Sequence, residues 1–141
     1  GRTMLAAMTL GADAVQVGSR FVASEESSAH INFKKTVVDA KEGDTQLTLK
    51  ELTPVRLVKN EFYGKVAKAY EDGASKEELT ELLGRGRAKK GMFEGDLVEG
   101  ELEIGQISGL IHAIKPAKDI VEEIVSEYNM ALAELKNQEN L

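Results

Sequence analysis

Two adjacent residues, Gly18 and Ser19, have the types and the setting of a phosphate-binding turn. They follow a short apolar run with β-branched residues, residues 12–17, and precede the start of an apparent helix. Backbone N–H groups at such a turn carry partial positive charge, glycine lets an anion approach them, and a serine hydroxyl adds one more donor. A phosphate site is therefore one interpretation of this motif, and a plain turn with a helix cap is the commoner one.

The elements around this turn are typical of an α/β repeat. Residues 3–10 are rich in helix-forming apolar residues, Gly11 stands where a helix C-cap would, and residues 12–17 are predicted to form a buried strand. A helix followed by a buried strand is half of a βαβ unit, in which the strands are parallel. Because such a strand needs neighbours, we expect the sequence to be a piece of a longer protein with partner strands upstream. In (β/α)₈ barrels, the loops after strands 7 and 8 commonly build a phosphate site.

The rest of the sequence predicts mostly helices. A helix is predicted over 24–40, capped by Ser24, and a turn at 42–44 separates it from an exposed strand over 45–52. Two further helices are predicted, one over 53–72 with Pro54 at its first position and one over 75–83 that starts with a capping box. A glycine-rich loop with a short helix over 94–111 then leads to a long amphipathic helix from Pro116, whose last residues, 136–141, are expected to fray.

Composition narrows the class of protein. The chain has 141 residues, 42% of them hydrophobic, which is enough for a core. It has no cysteine, so disulfides and thiolate metal sites are excluded, and a reducing cytoplasm fits. The net charge of −6 argues against nucleic acid as a partner, and no apolar run approaches the roughly 20 residues that span a bilayer.

Four segments resemble one enzyme family. They are GADAVQVGSRFVASEESSAH at 11–30, TPVRLVKN at 53–60, GELEIGQISGLI at 100–111 and IKPAKDIVEEIVSEYN at 114–129. In this order they resemble the nitronate monooxygenase (2-nitropropane dioxygenase-like) and FabK-type enoyl-ACP reductase II family of FMN-dependent (β/α)₈-barrel enzymes. The resemblance covers nearly the whole sequence but only about the C-terminal half of a family member. Ser19 stands where threonine is more usual in the family, which keeps the hydroxyl.

The resemblance implies a fold class and a division of the chain. The class is α/β, with the last helix–strand unit of an FMN-binding barrel plus a mainly helical subdomain. Residues 1–24 would be the end of the barrel, with strand 8 and the FMN phosphate loop. Residues 25–115 would be the helical subdomain, and residues 116–141 a C-terminal amphipathic helix that packs back on the barrel.

The resemblance also implies the cofactor site. Gln16, Val17, Gly18 and Ser19 match positions that bind FMN near its phosphate, and Gly105 and Gln106 lie in a segment that helps close the pocket over the flavin. A simple glycine-rich loop is the alternative for Gly105 and Gln106. The family's proton-transferring histidine has no counterpart here, so we assign no catalytic residue to this sequence and expect the fragment alone to be inactive.

Other chemically suggestive residues have plainer explanations. His30 and His112 are far apart in sequence and are expected to be structural or surface residues, so no metal site is predicted. Glu101 and Glu103 are expected in a solvated acidic loop, where nothing would raise a carboxyl pKa. The basic stretch could steer an acidic partner or a nucleotide, or it could be a solvated helix start; its cations are Arg85, Arg87, Lys89 and Lys90.

Three functions stay open at this point. The first is an FMN-dependent oxidoreductase that oxidises an alkyl nitronate. The second is an NAD(P)H-dependent reductase that acts on an enoyl-acyl carrier protein in fatty acid synthesis. The third, from another class, is a non-catalytic helical module that binds a partner. The resemblance makes the absent half of the barrel a partner of this chain, and a homodimer is among the assemblies that it allows.

Overall fold

The computed structural model describes residues 1–138, without the side chain of Gln138, and residues 139–141 lie outside it. The chain order is α1 (Arg2–Thr9), α2 (Ser19–Val22), α3 (Ile31–Asp39), β1 (Thr45–Thr48), β2 (Val55–Val58), α4 (Glu61–Glu71), α5 (Lys76–Leu83), a π-helical turn (Lys89–Phe93), a 3₁₀ helix (Gln106–Leu110) and α6 (Ala117–Gln138). No helix among these residues is both long enough and apolar enough to cross a membrane.

The first predicted helix is confirmed, and the strand after it is not formed. α1 ends at Thr9, and Gly11 takes a φ of +97°, a conformation that glycine adopts at little cost. Residues 12–17 pair with no strand among the described residues, and Val15 and Val17 are 37% and 40% exposed. A β-strand exists through its hydrogen-bonded neighbours, so without one the predicted buried strand remains an irregular, exposed segment.

The predicted helix from Ser24 begins seven residues later. α3 starts at Ile31, and His30 caps it by accepting a hydrogen bond at Nδ1 from the backbone N–H of Asn32, at 3.1 Å. Ser24 instead forms an isolated parallel bridge with Lys115, and its hydroxyl accepts from the N–H of Ser27. Local hydrogen bonding by serine competes with helix formation, which explains the late start.

The predicted helix over 53–72 is wrong in its first half. Val55–Val58 forms β2, which pairs antiparallel with β1 in the register Thr45↔Val58 and Thr48↔Val55. The residues Val-Arg-Leu-Val favour a strand because branched side chains pack well on a pleated surface. β1 itself ends at Thr48, short of the predicted residue 52.

The hairpin leads directly into two helices. α4 begins after Asn60, whose side chain accepts from the N–H of Tyr63, and the predicted capping box between Ser75 and Glu78 is present at the start of α5. Buried side chains join the hairpin to these helices in one apolar cluster, which contains Leu49, Leu57, Phe62, Val66 and Leu79.

A second apolar cluster connects the α2–α3 region with the segment before the 3₁₀ helix. It contains Ala23, Phe33, Val37, Leu102, Ile104 and Ile111. α6 confirms the predicted long amphipathic helix and packs against α1, with Ile120 and Ala131 buried. Residues 136–138 are still helical where fraying is predicted, and residues 139–141 lie outside the described chain.

Candidate functional site

A cleft of about 710 Å³ opens beside the Gly18–Ser19 turn. Its walls come from α1, the segment around the turn, the 3₁₀ helix with the residues after it, and the first half of α6. The predicted cofactor residues Gln16, Val17, Gly18 and Ser19 all line it. The apolar side chains Ile107 and Leu110 form the part contributed by the 3₁₀ helix. The cleft therefore brings together the first and last parts of the described chain.

The turn itself presents unpaired donors to this cleft. Among the described residues, no hydrogen bond occupies the backbone N–H groups of Gly18, Ser19 or Arg20. A Cβ added at Gly18 would have no atom within 4 Å, so the space above the backbone is open. Unpaired backbone donors at a glycine that has open space around it suit an anion such as a phosphate.

Ser19 joins the turn to the predicted pocket-closing segment. Its Oγ accepts a hydrogen bond from the backbone N–H of Gly105 at 3.1 Å, across 86 positions of sequence. Gly105 has φ −68° and ψ 153°, which any residue can adopt, but an added Cβ would lie 2.7 Å from Ser19 Oγ. Gly105 is therefore a glycine because the serine hydroxyl occupies the space of a side chain.

The segment that carries Gly105 is held from the other side as well. The N–H of Ile104 donates to the carbonyl of Arg56 in β2 at 3.1 Å, and Leu57 and Glu103 form an isolated antiparallel bridge. Ile104 is buried. The hairpin thus fixes the approach to Gly105, and Ser19 receives the next N–H along the chain.

Gly105 and Gln106 do not themselves line the cleft. Gln106 is exposed at the start of the 3₁₀ helix, and the wall is formed one to four residues further on, by Ile107 and Leu110. Gly105 therefore lies immediately before the 3₁₀ helix, and it is this helix that contributes to the cleft wall. A role of Gly105 and Gln106 in closing the pocket stays a prediction, and the side chains of this segment that line the cleft are Ile107 and Leu110.

Two cationic side chains line the cleft that the sequence analysis did not select, Arg20 and Lys115. The Arg20 guanidinium donates to the carbonyl of Ala113 at 3.2 Å and lies 3.9 Å from the Glu123 carboxylate. Lys115 also pairs with Glu123, and a hydrogen bond from Lys115 is the main reason that the pKa of Glu123 is lowered. Glu127 is a further carboxylate of the cleft wall. Arg20 follows the Gly-Ser pair directly, which is the sequence signal that could have identified it.

The two histidines have different surroundings. His30 is the N-cap of α3, which confirms the structural role predicted for it. His112 is exposed just after the 3₁₀ helix and lines the cleft. Within residues 1–138 no group of three or more His, Cys, Asp or Glu residues is placed to hold a metal ion.

The expectation of a solvated acidic loop is wrong for Glu101. Glu101 is only 7% exposed, and this burial raises the pKa of its carboxyl to about 7. The neighbouring charge of Glu103 acts in the same direction, and Arg87 acts against it. Sequence reasoning missed this because the burial comes from packing of the chain around Gly91 and Gly100, whose backbones nearly touch.

The basic stretch is largely engaged within the fold. The Arg87 guanidinium lies 4.3 Å from the centroid of the Phe62 ring and donates to the carbonyls of Leu83 and Glu99 at 2.9 and 2.8 Å. Lys89 and Lys90 pair with Glu94 and Asp96. In the described chain Arg85 forms no ion pair. These contacts favour a structural role for most of the stretch over a free charged patch.

Comparison with known proteins decides the family. A profile of the nitronate monooxygenase family matches residues 1–127. The chain belongs to the nitronate monooxygenase family. A probable nitronate monooxygenase from Staphylococcus saprophyticus is 31% identical over 131 residues, which cover 92% of this chain and 36% of that protein. One from Staphylococcus aureus is 29% identical over 137 residues, with 94% and 37% covered.

Solved structures agree with this assignment. FabK from Thermotoga maritima matches with a TM-score of 0.89 and 38% identity, over 98% of this chain and 44% of that one. The chain spans 36% to 44% of the length of these relatives. The expected fold class is confirmed: the chain is α/β and corresponds to the last helix–strand unit of a (β/α)₈ barrel with a mainly helical subdomain.

Proposed function

We propose that this chain is part of an FMN-dependent oxidoreductase and holds the phosphate end of the cofactor. The proposal rests on the unpaired N–H groups of Gly18, Ser19 and Arg20, three residues that line the cleft, and on the open space at Gly18. Gln16 and Val17 line the adjoining wall. When bound, FMN supplies a ring that accepts hydride or electrons.

The residues present fit a phosphate group in charge and in shape. Ser19 accepts a hydrogen bond from Gly105 and donates none among the described residues, so its hydroxyl proton is available to an anion. Arg20 and Lys115 add positive charge at the cleft wall, although Glu123 offsets part of it. The 3₁₀ helix, through Ile107 and Leu110, would cover the apolar part of the ligand and exclude water.

For the reaction, we favour oxidation of an alkyl nitronate, since the family profile and the relatives are those of nitronate monooxygenases. The second candidate is reduction of an enoyl-acyl carrier protein by NAD(P)H, and the 38% identity to FabK supports it. Oxygen uptake with an alkyl nitronate, compared with NAD(P)H oxidation in the presence of an enoyl thioester, separates the two in the full-length protein. We also propose a cytoplasmic location for the enzyme, which agrees with the lack of cysteine in this chain.

The test of the cofactor site is Gly18→Val in the full-length protein. A valine side chain would occupy the space above the backbone donors, so we expect FMN affinity, measured by fluorescence titration, to fall at least about tenfold. Gly64→Val is the matched control, because a Cβ at Gly64 also meets no atom within 4 Å but lies on α4, outside the cleft.

Two outcomes would count against the proposal. Unchanged FMN affinity in Gly18→Val would remove Gly18 from the site. A wild-type protein that binds no FMN would favour the remaining alternative, a helical module that binds a partner without a cofactor.

A further inference from the structure

The hydrogen bond between Ser19 and Gly105 connects the Gly18–Ser19 turn with the 3₁₀ helix (Gln106–Leu110). Ser19 lies in the turn that faces the ligand space, and Gly105 is the residue from which the 3₁₀ helix starts. The Ser108 N–H donates to the Gly105 carbonyl at 3.0 Å, so the first turn of that helix is built on Gly105. A shift of Gly105 would therefore move Ile107 and Leu110 at the cleft wall.

The approach of Ser19 Oγ to Gly105 leaves no room for a side chain at position 105. At Gly105 even a methyl group would lie 2.7 Å from Ser19 Oγ, well inside ordinary van der Waals distance. The backbone angles of Gly105 do not require glycine, so the glycine serves only this approach. On the side of the hairpin, the hydrogen bond from the Ile104 N–H to Arg56 leaves the next residue with its N–H directed at Ser19.

We propose that Ser19 couples ligand binding to closure of the cleft: its hydroxyl donates to the bound phosphate while its oxygen accepts from the Gly105 N–H, so that binding tightens the 3₁₀ helix (Gln106–Leu110) over the ligand. This inference rests on the proposed FMN site. A hydroxyl that donates to an anion becomes a better acceptor, because hydrogen bonds in a chain polarise one another. Coupling of this kind is reciprocal, so a weaker Gly105 contact lowers ligand affinity by the same factor by which the ligand strengthens that contact.

The experiment measures hydrogen exchange of the Gly105 amide and the 106–110 segment in the full-length protein, with and without FMN. In the wild type and in Ser19→Thr, FMN should slow this exchange. In Ser19→Ala, exchange in the FMN-free protein should be roughly three- to tenfold faster, the value of one ordinary hydrogen bond, and FMN should no longer change it. Ser75→Ala is the control, since it removes a serine cap on α5 and should leave exchange at Gly105 and FMN affinity unchanged.

A double-mutant cycle makes the coupling specific to these two residues. Gly105→Ala places its methyl group against Ser19 Oγ and should weaken FMN binding and speed exchange in the 106–110 segment. Adding Ser19→Ala removes the clash, so the double variant should lose little more FMN affinity than Ser19→Ala alone.

The outcomes of these measurements are distinct. Equal slowing of exchange by FMN in Ser19→Ala and wild type, or additive losses in the cycle, would overturn the coupling and leave the FMN site intact. Absence of FMN binding by the wild type would overturn the proposed function and the coupling with it.

Discussion

At the scale of single residues, the buried carboxyl of Glu101 makes the stability of the fold depend on pH. Its folded-state pKa of about 7 lies above the ordinary value of 4.5, chiefly because of burial. Between these values the folded protein keeps a proton on Glu101 that the unfolded chain releases. The free energy of unfolding therefore falls as pH rises from about 4.5 to about 7, and the contribution of this group is lost above that range.

Glu101→Gln should remove this dependence. The amide mimics the protonated carboxyl, so the variant should be more stable than the wild type at pH 8 by about 1–3 kcal/mol, and the two should be similar near pH 4.5. Denaturant unfolding of the full-length protein at several pH values measures this. Glu103→Gln is a useful comparison, because it removes the neighbouring charge without removing the buried group. A wild type whose stability rises over this range of pH, relative to Glu101→Gln, would contradict the prediction.

Arg85 and Arg87 stand two positions apart in the basic stretch and should differ sharply in their effect on stability. Arg87→Ala removes the contact with the Phe62 ring and leaves the carbonyl of Glu99 without its donor, so we expect a loss of about 2–3 kcal/mol in denaturant unfolding. Arg85→Ala should change stability by less than about 0.5 kcal/mol, because Arg85 is exposed. Similar losses in the two variants would mean that the contacts of Arg87 do not stabilise the fold.

Three residues of the candidate site show how much of it the sequence can indicate: Gly18, Ser19 and Gly105. Gly18 and Ser19, which line the cleft, are predicted as candidates because a glycine and a hydroxyl after an apolar run have a known chemical use, and Gly105 is predicted from its motif. That Ser19 and Gly105 touch could not be predicted, since the contact joins residues 86 positions apart and depends on how the hairpin directs the chain. The burial of Glu101 escaped prediction for the same reason.

At the scale of elements, Asn60 holds the start of α4 against the loop before Glu101. Its side-chain carbonyl accepts from the N–H of Tyr63 at 3.0 Å, and its amide donates to the carbonyls of Leu97 and Gly100 at 2.9 and 2.8 Å. One side chain thus caps a helix and satisfies two carbonyls of a distant loop. Its position explains why α4 begins at Glu61 and not at Pro54.

Asn60→Ala should cost about 2–3 kcal/mol, more than loss of a cap alone, because the two loop carbonyls also lose their donor. The loss of stability in Asn60→Asp should be intermediate. The aspartate carboxylate can still cap the helix, but it has no hydrogen to donate to the carbonyls of Leu97 and Gly100. Ser75→Ala, which removes only a cap at α5, should cost about 1 kcal/mol. Equal losses in Asn60→Ala and Ser75→Ala, measured by denaturant unfolding, would show that the contacts to Leu97 and Gly100 add nothing.

Elements defined by local signals were predictable, and elements defined by distant partners were not. The capping box of α5 and the amphipathic pattern of α6 are local, and both helices form as expected. β2 was missed because Thr53-Pro54 resembles a helix start, whereas the strand depends on pairing with β1. The opposite error at residues 12–17 has the same cause, since that run has the composition of a strand and no partner among the described residues.

At the scale of the whole molecule, large apolar side chains are exposed in and beside the segment where a barrel strand is expected. Leu10 and Leu110 are 89% and 72% exposed, and Val15 and Val17 stand free on a segment without a strand partner. Apolar surface of this kind costs free energy in water and is normally covered. The relatives are more than twice as long as this chain, so we expect the remainder of such a protein to cover it.

The isolated 141 residues should therefore show no flavin-dependent turnover. Val15 and Val17 line the cleft and are 37% and 40% exposed, so part of the cleft wall is in contact with water, and no residue of the chain matches the histidine of the resembling family. We expect neither oxygen uptake with an alkyl nitronate nor NAD(P)H oxidation above background, while the full-length protein, assayed in parallel with added FMN, turns over. A fragment that binds FMN weakly and stays inactive would agree with the view that this chain contributes to cofactor binding and that the catalytic groups lie outside it. Clear turnover by the fragment would show that the groups needed for the chemistry lie within these residues, and His112, which lines the cleft, would then be the first residue to substitute.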